Sequence, residues 1–266
     1  MRCKLYRNYI VLIYVVMIGL LYSLFASAES TNDRGDKSLY TYKIINKYPH
    51  NTEDFTEGLI YEKGVIYEST GQYGRSKMKK YKLGSIEPLK SYNLPMMYFG
   101  EGATILQDKI YQLTWKSRVG FIYNKDLELL GNFNYRTRGW GLTTDGKSLI
   151  MSDGTNRLIY INPKTFKEEK IVEVYDKDAP VVNINELEYI NGKIYANIFM
   201  TDFISIINPE SGRLEGWIDL SGLLENENIN TPVDVLNGIA YDEASKRFFV
   251  TGKYWPYIYE LELIKK

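Results

Sequence analysis

The chain has 266 residues, of which 44% are hydrophobic, and its 33 basic residues balance 33 acidic ones. This composition excludes a disordered chain, and the absence of a basic stripe argues against a nucleic-acid partner. One cysteine, Cys3, and one histidine, His50, exclude a disulfide and a zinc site with several His or Cys ligands, and leave a Ser-His-Asp triad only if His50 serves in it.

Residues 1–28 have the composition of a secretory signal peptide. Three basic residues precede the apolar run "YIVLIYVVMIGLLYSLF", and the tripeptide "ASA" follows it. We expect cleavage before Glu29, a flexible segment over residues 29–40, and an exported protein that is periplasmic or secreted. The alternative is an uncleaved membrane anchor, since the apolar run approaches the length that spans a bilayer.

Five β-hairpin patterns follow in chain order, each with two β-rich runs joined by residues typical of tight turns. They are "GLIYEKGVIYESTG" from Gly58, "GATILQDKIYQLTW" from Gly102, "GLTTDGKSLIMSDG" from Gly141, "LEYINGKIYANIF" from Leu187 and "GIAYDEASKRFFVTGK" from Gly238. Aligned on Tyr67, Tyr111, Ile150, Tyr195 and Phe249, they lie 44, 39, 45 and 54 residues apart. This period is typical of propeller blades.

The segments between the hairpins predict the outer strands of each blade. They are "KMKKYKL", "GFIYNKDLELLGNFNY", "LIYINPKTFKEEKIVEV" and "FISIINPESGRLEGWIDL". The first strand, "LYTYKIINKY", has no blade of its own, and the last blade, ending in "YIYELELI", lacks one strand. We therefore expect an all-β, five-bladed β-propeller over residues 41–266, a single monomeric domain closed by pairing the N-terminal strand with the last blade. His50 is predicted to lie in a surface connection.

The repeat register places chemically diverse residues at equivalent positions. The residue before each hairpin is Glu57, Glu101, Trp140, Glu186 or Asn237, with Asn185 next to Glu186, and the residue at each hairpin's end is Gly71, Trp115, Gly154, Phe199 or Lys253. Both sets would ring one mouth of a central channel if the blades are equivalent. A single residue of this kind is more often a rim charge or a core aromatic, but several together indicate a site.

These residue types suit acid–base chemistry without a metal or thiol. An apolar cup around Glu101 would raise its pKa from about 4.3 towards neutrality, as a proton shuttle requires. Lys253 and Asn185 can donate hydrogen bonds to a developing oxyanion. Gly100 and Gly102 are expected to keep the mouth open around Glu101. The walls of the cup would be Trp115, Trp140, Phe199 and Phe99.

Ten segments, in order, resemble the plant and bacterial type of glutaminyl-peptide cyclotransferase, or glutamine cyclotransferase. They are "FTEGLIY", "YESTGQYGRS", "FGEG", "YQLTW", "GWGLTTDG", "LIMSDG", "INELEYINGKIYANI", "GWIDLSGLL", "VLNGIAYD" and "VTGKYWP". The resemblance runs from about Tyr42 to Leu263. It implies a five-bladed propeller that converts the N-terminal glutamine of peptides or proteins to pyroglutamate and releases ammonia. No cofactor is expected. The sequence leaves open whether the central channel holds a structural calcium ion.

The resemblance also implies residue roles. Glu101 of "FGEG" corresponds to the family's catalytic acid, Lys253 and Asn185 to its polar site residues, Trp115 and Trp140 to its aromatic walls, and Phe55 and Phe99 to its flanking phenylalanines. Three positions of the substrate site depart from the family pattern: Glu57 replaces Gln, Phe199 replaces Trp, and Arg138 replaces an acid. Glu57 adds a second negative charge near the site, which Arg138 would neutralise if the two side chains meet.

Two other functions stay open at this point. One is a non-catalytic propeller that binds peptide N-termini in the same cup. The other is a metal-dependent propeller hydrolase or lactonase, for which Asn185, Asn237, Glu57 and Glu101 would supply the ligands. Membrane association is expected only if the N-terminal segment is an uncleaved anchor.

Overall fold

The computed structural model describes residues 37–224, 229 and 232–266. The predicted signal peptide and most of the predicted flexible segment, residues 29–40, therefore lie outside the described residues. Lys37–Lys266 form one compact unit, and its described residues form β-strands and turns without a helix. A search of those residues for a helix capable of crossing a membrane finds none.

The strands form several sheets. One four-stranded sheet contains β2 (Thr56–Glu62), β3 (Val65–Thr70), β4 (Lys77–Lys82) and β5 (Lys90–Asn93). A second contains β6 (Gly100–Leu106), β7 (Lys109–Thr114), β8 (Val119–Asn124) and β9 (Leu129–Asn134). A third contains β10 (Leu142–Thr144), β11 (Leu149–Ser152), β12 (Arg157–Ile161) and β13 (Glu168–Glu173).

The remaining large sheet joins both ends of the described chain. Its order is β16 (Ile184–Ile190), β17 (Lys193–Ile198), β18 (Phe203–Ile207), β19 (Leu214–Asp219), β1 (Ser38–Pro49), β22 (Tyr257–Lys265), β21 (Arg247–Gly252) and β20 (Leu236–Asp242). Strand β1 runs antiparallel to β22 over most of its length and parallel to β19 at its start. A short hairpin of β14 (Tyr175–Asp176) and β15 (Ala179–Pro180) forms a separate two-stranded sheet, and Tyr175 bridges to Arg213 just before β19.

The turn residues explain the hairpins. Lys63 and Gly64 form the two-residue turn between β2 and β3 with φ of 50° and 84°. The turns 107–108 and 191–192 likewise have positive φ at both residues. Two consecutive positive φ angles match the right-handed twist of the flanking strands. The five predicted hairpins are confirmed as β2–β3, β6–β7, β10–β11, β16–β17 and β20–β21.

The first strands of the five hairpins contact one another in the order β2, β6, β10, β16 and β20, and β20 contacts β2. Glycines allow this close approach. A Cβ on Gly102 would lie 2.5 Å from the backbone of Trp140 and Leu142, and a Cβ on Gly58 would lie 2.6 Å from Ala103 N. The expectation that Gly102 keeps the mouth open is therefore wrong, because this glycine faces the neighbouring strand.

Hydrophobic layers hold successive sheets together. One cluster joins Leu106 and Leu113 of the second sheet to Leu142, Met151 and Ile159 of the third. These side chains are almost completely buried, and each buried aliphatic side chain stabilises the fold by roughly 1.5–3 kcal/mol.

His50 is buried, so its predicted place in a surface connection is wrong. Its Nδ1 lies 2.7 Å from the carbonyl oxygen of Trp255, and its Nε2 lies 3.0 Å from Oε1 of Glu68. A carbonyl only accepts hydrogen bonds, so Nδ1 must carry a proton. Burial acts against a charge here, but the carboxylate of Glu68 outweighs it and raises the pKa of His50. The histidine therefore ties the end of β1 to β3 as a buried ion pair.

Candidate active site

Four hairpins carry a β-bulge at the same place, near the start of the first strand. In each case the first strand has one residue more than its partner between the two flanking pairs. A bulge re-aims the side chains that it contains. The side chains placed by the bulges belong to Glu57, Glu101, Asn185, Glu186 and Asn237.

The ends of the second strands lie beside these bulges. Trp115 follows β7, and its N–H donates to the carbonyl oxygen of Phe99 at 3.0 Å. Lys253 follows β21, and its N–H donates to the carbonyl oxygen of Val235 at 3.0 Å. The predicted equivalence of the hairpin ends is thus confirmed for these two repeats.

A solvent-connected cavity of about 490 Å³ lies at this end of the hairpins. Nine predicted site residues line it: Phe55, Glu57, Phe99, Glu101, Trp115, Trp140, Asn185, Phe199 and Lys253. Three residues that the sequence did not predict also line it: Gln72, Met200 and Asp234. Gln72 and Met200 come one residue after the register positions at 71 and 199, so extending the register by one residue would find both. No sequence signal marks Asp234.

Aromatic rings form the walls. Phe99 packs against Phe55 and Trp115, with ring centroids 6.0 and 5.8 Å away. Trp140 packs edge-on against Phe199 at 5.5 Å. The glycines of the second register set make room for these rings, since a Cβ on Gly71 would lie 2.5 Å from the Phe99 ring. Gly154 makes the same space under Trp140.

A chain of buried polar groups runs beneath the rings. Lys253 Nζ donates to Oε1 of Glu57 at 2.8 Å, and the Asn237 amide donates to Oε2 of Glu57 at 3.0 Å. Asn185 in turn donates to the Asn237 oxygen at 2.9 Å. The ammonium of Lys253 also lies 4.4 Å from the ring centroid of Phe55, within cation–π range. Glu57 is therefore held by an ammonium and an amide at once.

Glu101 is buried in the same cavity, with 5% of its surface exposed. Among the described residues, no side chain donates a hydrogen bond to its carboxyl group, and only its backbone carbonyl accepts one, from Ser69. Burial, with a smaller effect from the Glu57 charge, raises the pKa of Glu101 well above its usual range, although Lys253 acts in the opposite direction. Burial also raises the pKa of Glu57 to about 7, against the effect of Lys253.

One ammonium therefore faces two buried carboxyl groups. Two ionised carboxylates would leave an uncompensated buried negative charge, which is strongly unfavourable. Glu57 has the ammonium and the Asn237 amide, so it is the group better suited to hold the charge. The surroundings of Glu101 consequently favour its protonated form.

Two expectations about neighbouring residues are corrected. Arg138 is exposed and does not line the cavity, and the cation that meets Glu57 is Lys253. Gly100 does not open the mouth around Glu101 either, because a Cβ there would lie 2.6 Å from the carbonyl oxygen of Thr70. The repeat register gives the position of a residue along a hairpin, but it does not specify which neighbours its Cβ or side chain faces, and both errors concern those neighbours.

Two groups of side chains deserve comparison with metal sites. His50, Asp54 and Glu68 place ligand atoms within 4.8 Å of one another. The Lys79 ammonium pairs with Asp54 and lies 3.7 Å from Glu68 Oε2, so it already supplies the positive charge of this cluster. The second group, the ligand set considered for a hydrolase, also has protein partners: Glu57 with Lys253, and the two asparagines with each other. Neither donor set fits a metal ion without displacing a lysine.

The strands and the cavity define an all-β protein of the propeller-like class, with an aromatic-walled cavity that encloses a buried carboxyl group and an ion pair. The model of the glutamine cyclotransferase family matches residues 16–263. The chain belongs to this family, as the sequence resemblance implies.

Two relatives illustrate the similarity. The chain is 40% identical over 232 residues to a glutaminyl-peptide cyclotransferase of Arabidopsis thaliana, and the match covers 83% of this chain and 71% of that protein. The crystal structure of Myxococcus xanthus glutaminyl cyclase superposes with a TM-score of 0.81 at 34% identity. That match covers 87% of this chain and all of the other.

Proposed function

We propose that this protein is a glutaminyl-peptide cyclotransferase, which converts the N-terminal glutamine of peptides or proteins to pyroglutamate and releases ammonia. One observation carries the proposal: the buried Glu101 carboxyl, which has no side-chain donor among the described residues, lines the same cavity as the Lys253 ammonium and the indole rings. Membership of the family supports it.

The cavity would act first by holding the substrate in a folded-back conformation. The α-amine of the glutamine must attack its own γ-carboxamide carbon, and only the neutral amine can do so. Its pKa of about 7.7–8.0 leaves part of it neutral at physiological pH. Because the reaction is intramolecular, fixing the reactive conformer lowers the barrier most. We assign this task to Trp115, Trp140, Phe199, Phe55 and Phe99, which line the cavity.

Glu101 would move the proton. As the amine nitrogen bonds to the carboxamide carbon, protonated Glu101 gives its proton to the departing nitrogen, which leaves as ammonia. The carboxylate then takes one proton from the amine nitrogen, now part of the ring, so Glu101 ends protonated as it began. Its burial supports this starting state.

Lys253 and Asn185 would stabilise the oxyanion of the tetrahedral intermediate. Lys253 has three N–H groups and one contact to Glu57, so donors remain for substrate. Asn185 has two amide N–H groups and gives one to Asn237. Glu57 and Asn237 would hold these donors in place rather than contact the reacting atoms.

The remaining expectations extend this proposal. We propose five blades, one for each hairpin, with β1 closing the last; the contacts between first strands and the pairing of β1 with β22 support this. We also propose that the reaction is metal-independent, since lysines occupy both candidate donor sets. A monomeric state stays a prediction, as do export, a cleaved signal peptide and a flexible segment ahead of the domain, and a structural calcium ion stays an open question.

The test is incubation of the protein starting at Glu29 with a glutamine-initiated dipeptide. Release of ammonia, with the matching mass loss in the peptide, is expected, and a chelator should not reduce it. Binding of the peptide without ammonia release would favour the non-catalytic binding propeller. Loss of activity in the chelator, restored by added metal, would favour metal-dependent chemistry.

A further inference from the structure

Exposed apolar side chains line the cavity or lie next to its walls. Tyr73, Met96 and Met200 have 51%, 78% and 69% of their surfaces exposed. We call these three residues the apolar rim. Single exposed apolar residues need no explanation, but several at the mouth of one cavity mark a binding surface.

Contacts connect the rim to two of the aromatic walls, Phe99 and Phe199. The Tyr73 ring packs edge-on against the Phe99 ring at 5.4 Å, and Phe99 lines the cavity. Gly74 N donates to the carbonyl oxygen of Met96 at 3.2 Å, which holds the Met96 segment beside Tyr73. Met200 lines the cavity itself and follows the Phe199 wall. The rim therefore continues the aromatic walls outwards.

The local backbone holds Met200 in this exposed place. Met200 has φ of 68°, an unfavourable conformation for a residue other than glycine. The next residue, Thr201, donates its N–H and its hydroxyl to the carbonyl oxygen of Ile198, which closes a tight turn. Methionine side chains are flexible and polarisable, so they adapt to apolar partners of different shapes.

We propose that the apolar rim binds the residues that follow the N-terminal glutamine of the substrate and makes the enzyme prefer an apolar second residue. This inference rests on the proposed function. A glutamine that enters the cavity leaves the rest of its peptide no path except over the mouth. Apolar side chains there gain by leaving water, and a polar side chain gains nothing comparable.

The test compares kcat/KM for two amidated dipeptides, Gln-Leu and Gln-Ser. Ammonia release should be about tenfold more efficient from Gln-Leu, the scale expected when roughly half of a leucine side chain leaves water. Equal efficiency for the two peptides overturns the inference and leaves the proposed function intact. If neither peptide releases ammonia, the proposed function fails, and the inference fails with it.

Variants locate the preference. Met200→Ser and Met96→Ser should each lower the ratio of the two kcat/KM values at least about threefold, because each removes apolar surface from the rim. Leu130→Ser makes a similar change at an exposed position on β9, outside the cavity lining, and should leave the ratio unchanged. A ratio that stays constant in both methionine variants, or falls equally in the Leu130 variant, overturns the inference. Because the ratio compares two peptides on the same protein sample, differences between variants in the folded fraction cancel.

Discussion

Lys253 Nζ lies 2.8 Å from Oε1 of Glu57, and both side chains are almost fully buried. The pair joins the end of β21 to the bulge of β2, across 196 residues of sequence. Taking both charges out of water is costly, and a second hydrogen bond from Asn237 offsets part of that cost. The ion pair therefore stabilises the site only while both partners are present.

Removing only one partner of the Lys253–Glu57 ion pair should destabilise the protein. Lys253→Met leaves Glu57 buried without a counter-charge, and we expect a loss of about 3–5 kcal/mol in the free energy of unfolding. The double variant Glu57→Gln with Lys253→Met removes both charges and should recover most of that loss. Urea denaturation of the three proteins measures the effect. A double variant as unstable as the single one would contradict the account of the ion pair.

Glu57→Gln should shift the pH profile of activity. The Glu57 charge raises the pKa of Glu101, so its removal leaves the Lys253 ammonium to lower that pKa. Glu101 must hold a proton to release ammonia, so the alkaline decline in kcat/KM should begin at a lower pH than in the wild type. The rise at lower pH, set by the substrate amine, should stay. An unchanged or upward shift would show that Glu57 does not control Glu101.

Glu101→Gln should keep the shape of a protonated acid while removing the transferable proton. We expect kcat to fall at least about 10²-fold, the usual scale for general acid–base catalysis, with KM little changed. Ammonia release at saturating peptide measures the effect. Glu262→Gln, at an exposed acid on β22, is the matched control and should turn over normally. Near-normal turnover by Glu101→Gln would remove this residue from the mechanism.

Gly71→Ala should damage the cavity without touching a polar group. The added methyl would lie 2.5 Å from the Phe99 ring and 2.9 Å from the Phe55 ring, so both walls must move. Overpacking of this kind costs about 1–3 kcal/mol, and displaced walls should also raise KM. Gly131→Ala is the control, since its Cβ would meet open space. Thermal unfolding and steady-state kinetics of the two variants check the difference, and equal behaviour would contradict it.

His50 should make stability depend on pH. The Glu68 carboxylate raises the pKa of His50 in the folded protein, and the pKa of Glu68 is lowered to about 2. A raised histidine pKa contributes stability that is complete below about pH 6.5 and is lost as pH rises through the folded value. Between about pH 6 and pH 9, the free energy of unfolding should fall more in the wild type than in His50→Gln. Parallel curves in urea denaturation would contradict the ion pair.

Local chemistry made the hairpins predictable. Lys63-Gly64 and Asn191-Gly192 prefer the backbone angles that tight turns need, and the alternating strands beside them act over a few residues. Strand β5 (Lys90–Asn93) was missed because four mostly polar residues carry no clear alternation. The short hairpin β14–β15 was missed for the same reason, since two-residue strands leave no pattern.

The register also brought most of the candidate site together. Equivalent positions in repeats end at the same edge of their hairpins, so Glu101, Trp115 and Lys253 could be placed in one cavity before their contacts were known. The same reasoning failed for His50, which lies outside the repeats. The sequence around a single polar residue in a connection does not show whether that residue has a buried partner elsewhere in the fold.

The sequence by itself determined the five hairpins, their turns and the repeat positions, because those depend on neighbours along the chain. Only the tertiary structure decided which charges meet. Lys253 pairs with Glu57 and His50 with Glu68, whereas Arg138 is exposed and pairs with neither Glu57 nor Glu68. The tertiary structure also decided that burial and the Glu57 charge raise the pKa of Glu101. The physical reason is that desolvation and Coulomb energies depend on burial and distance between residues far apart in the chain, and a repeat pattern contains neither quantity.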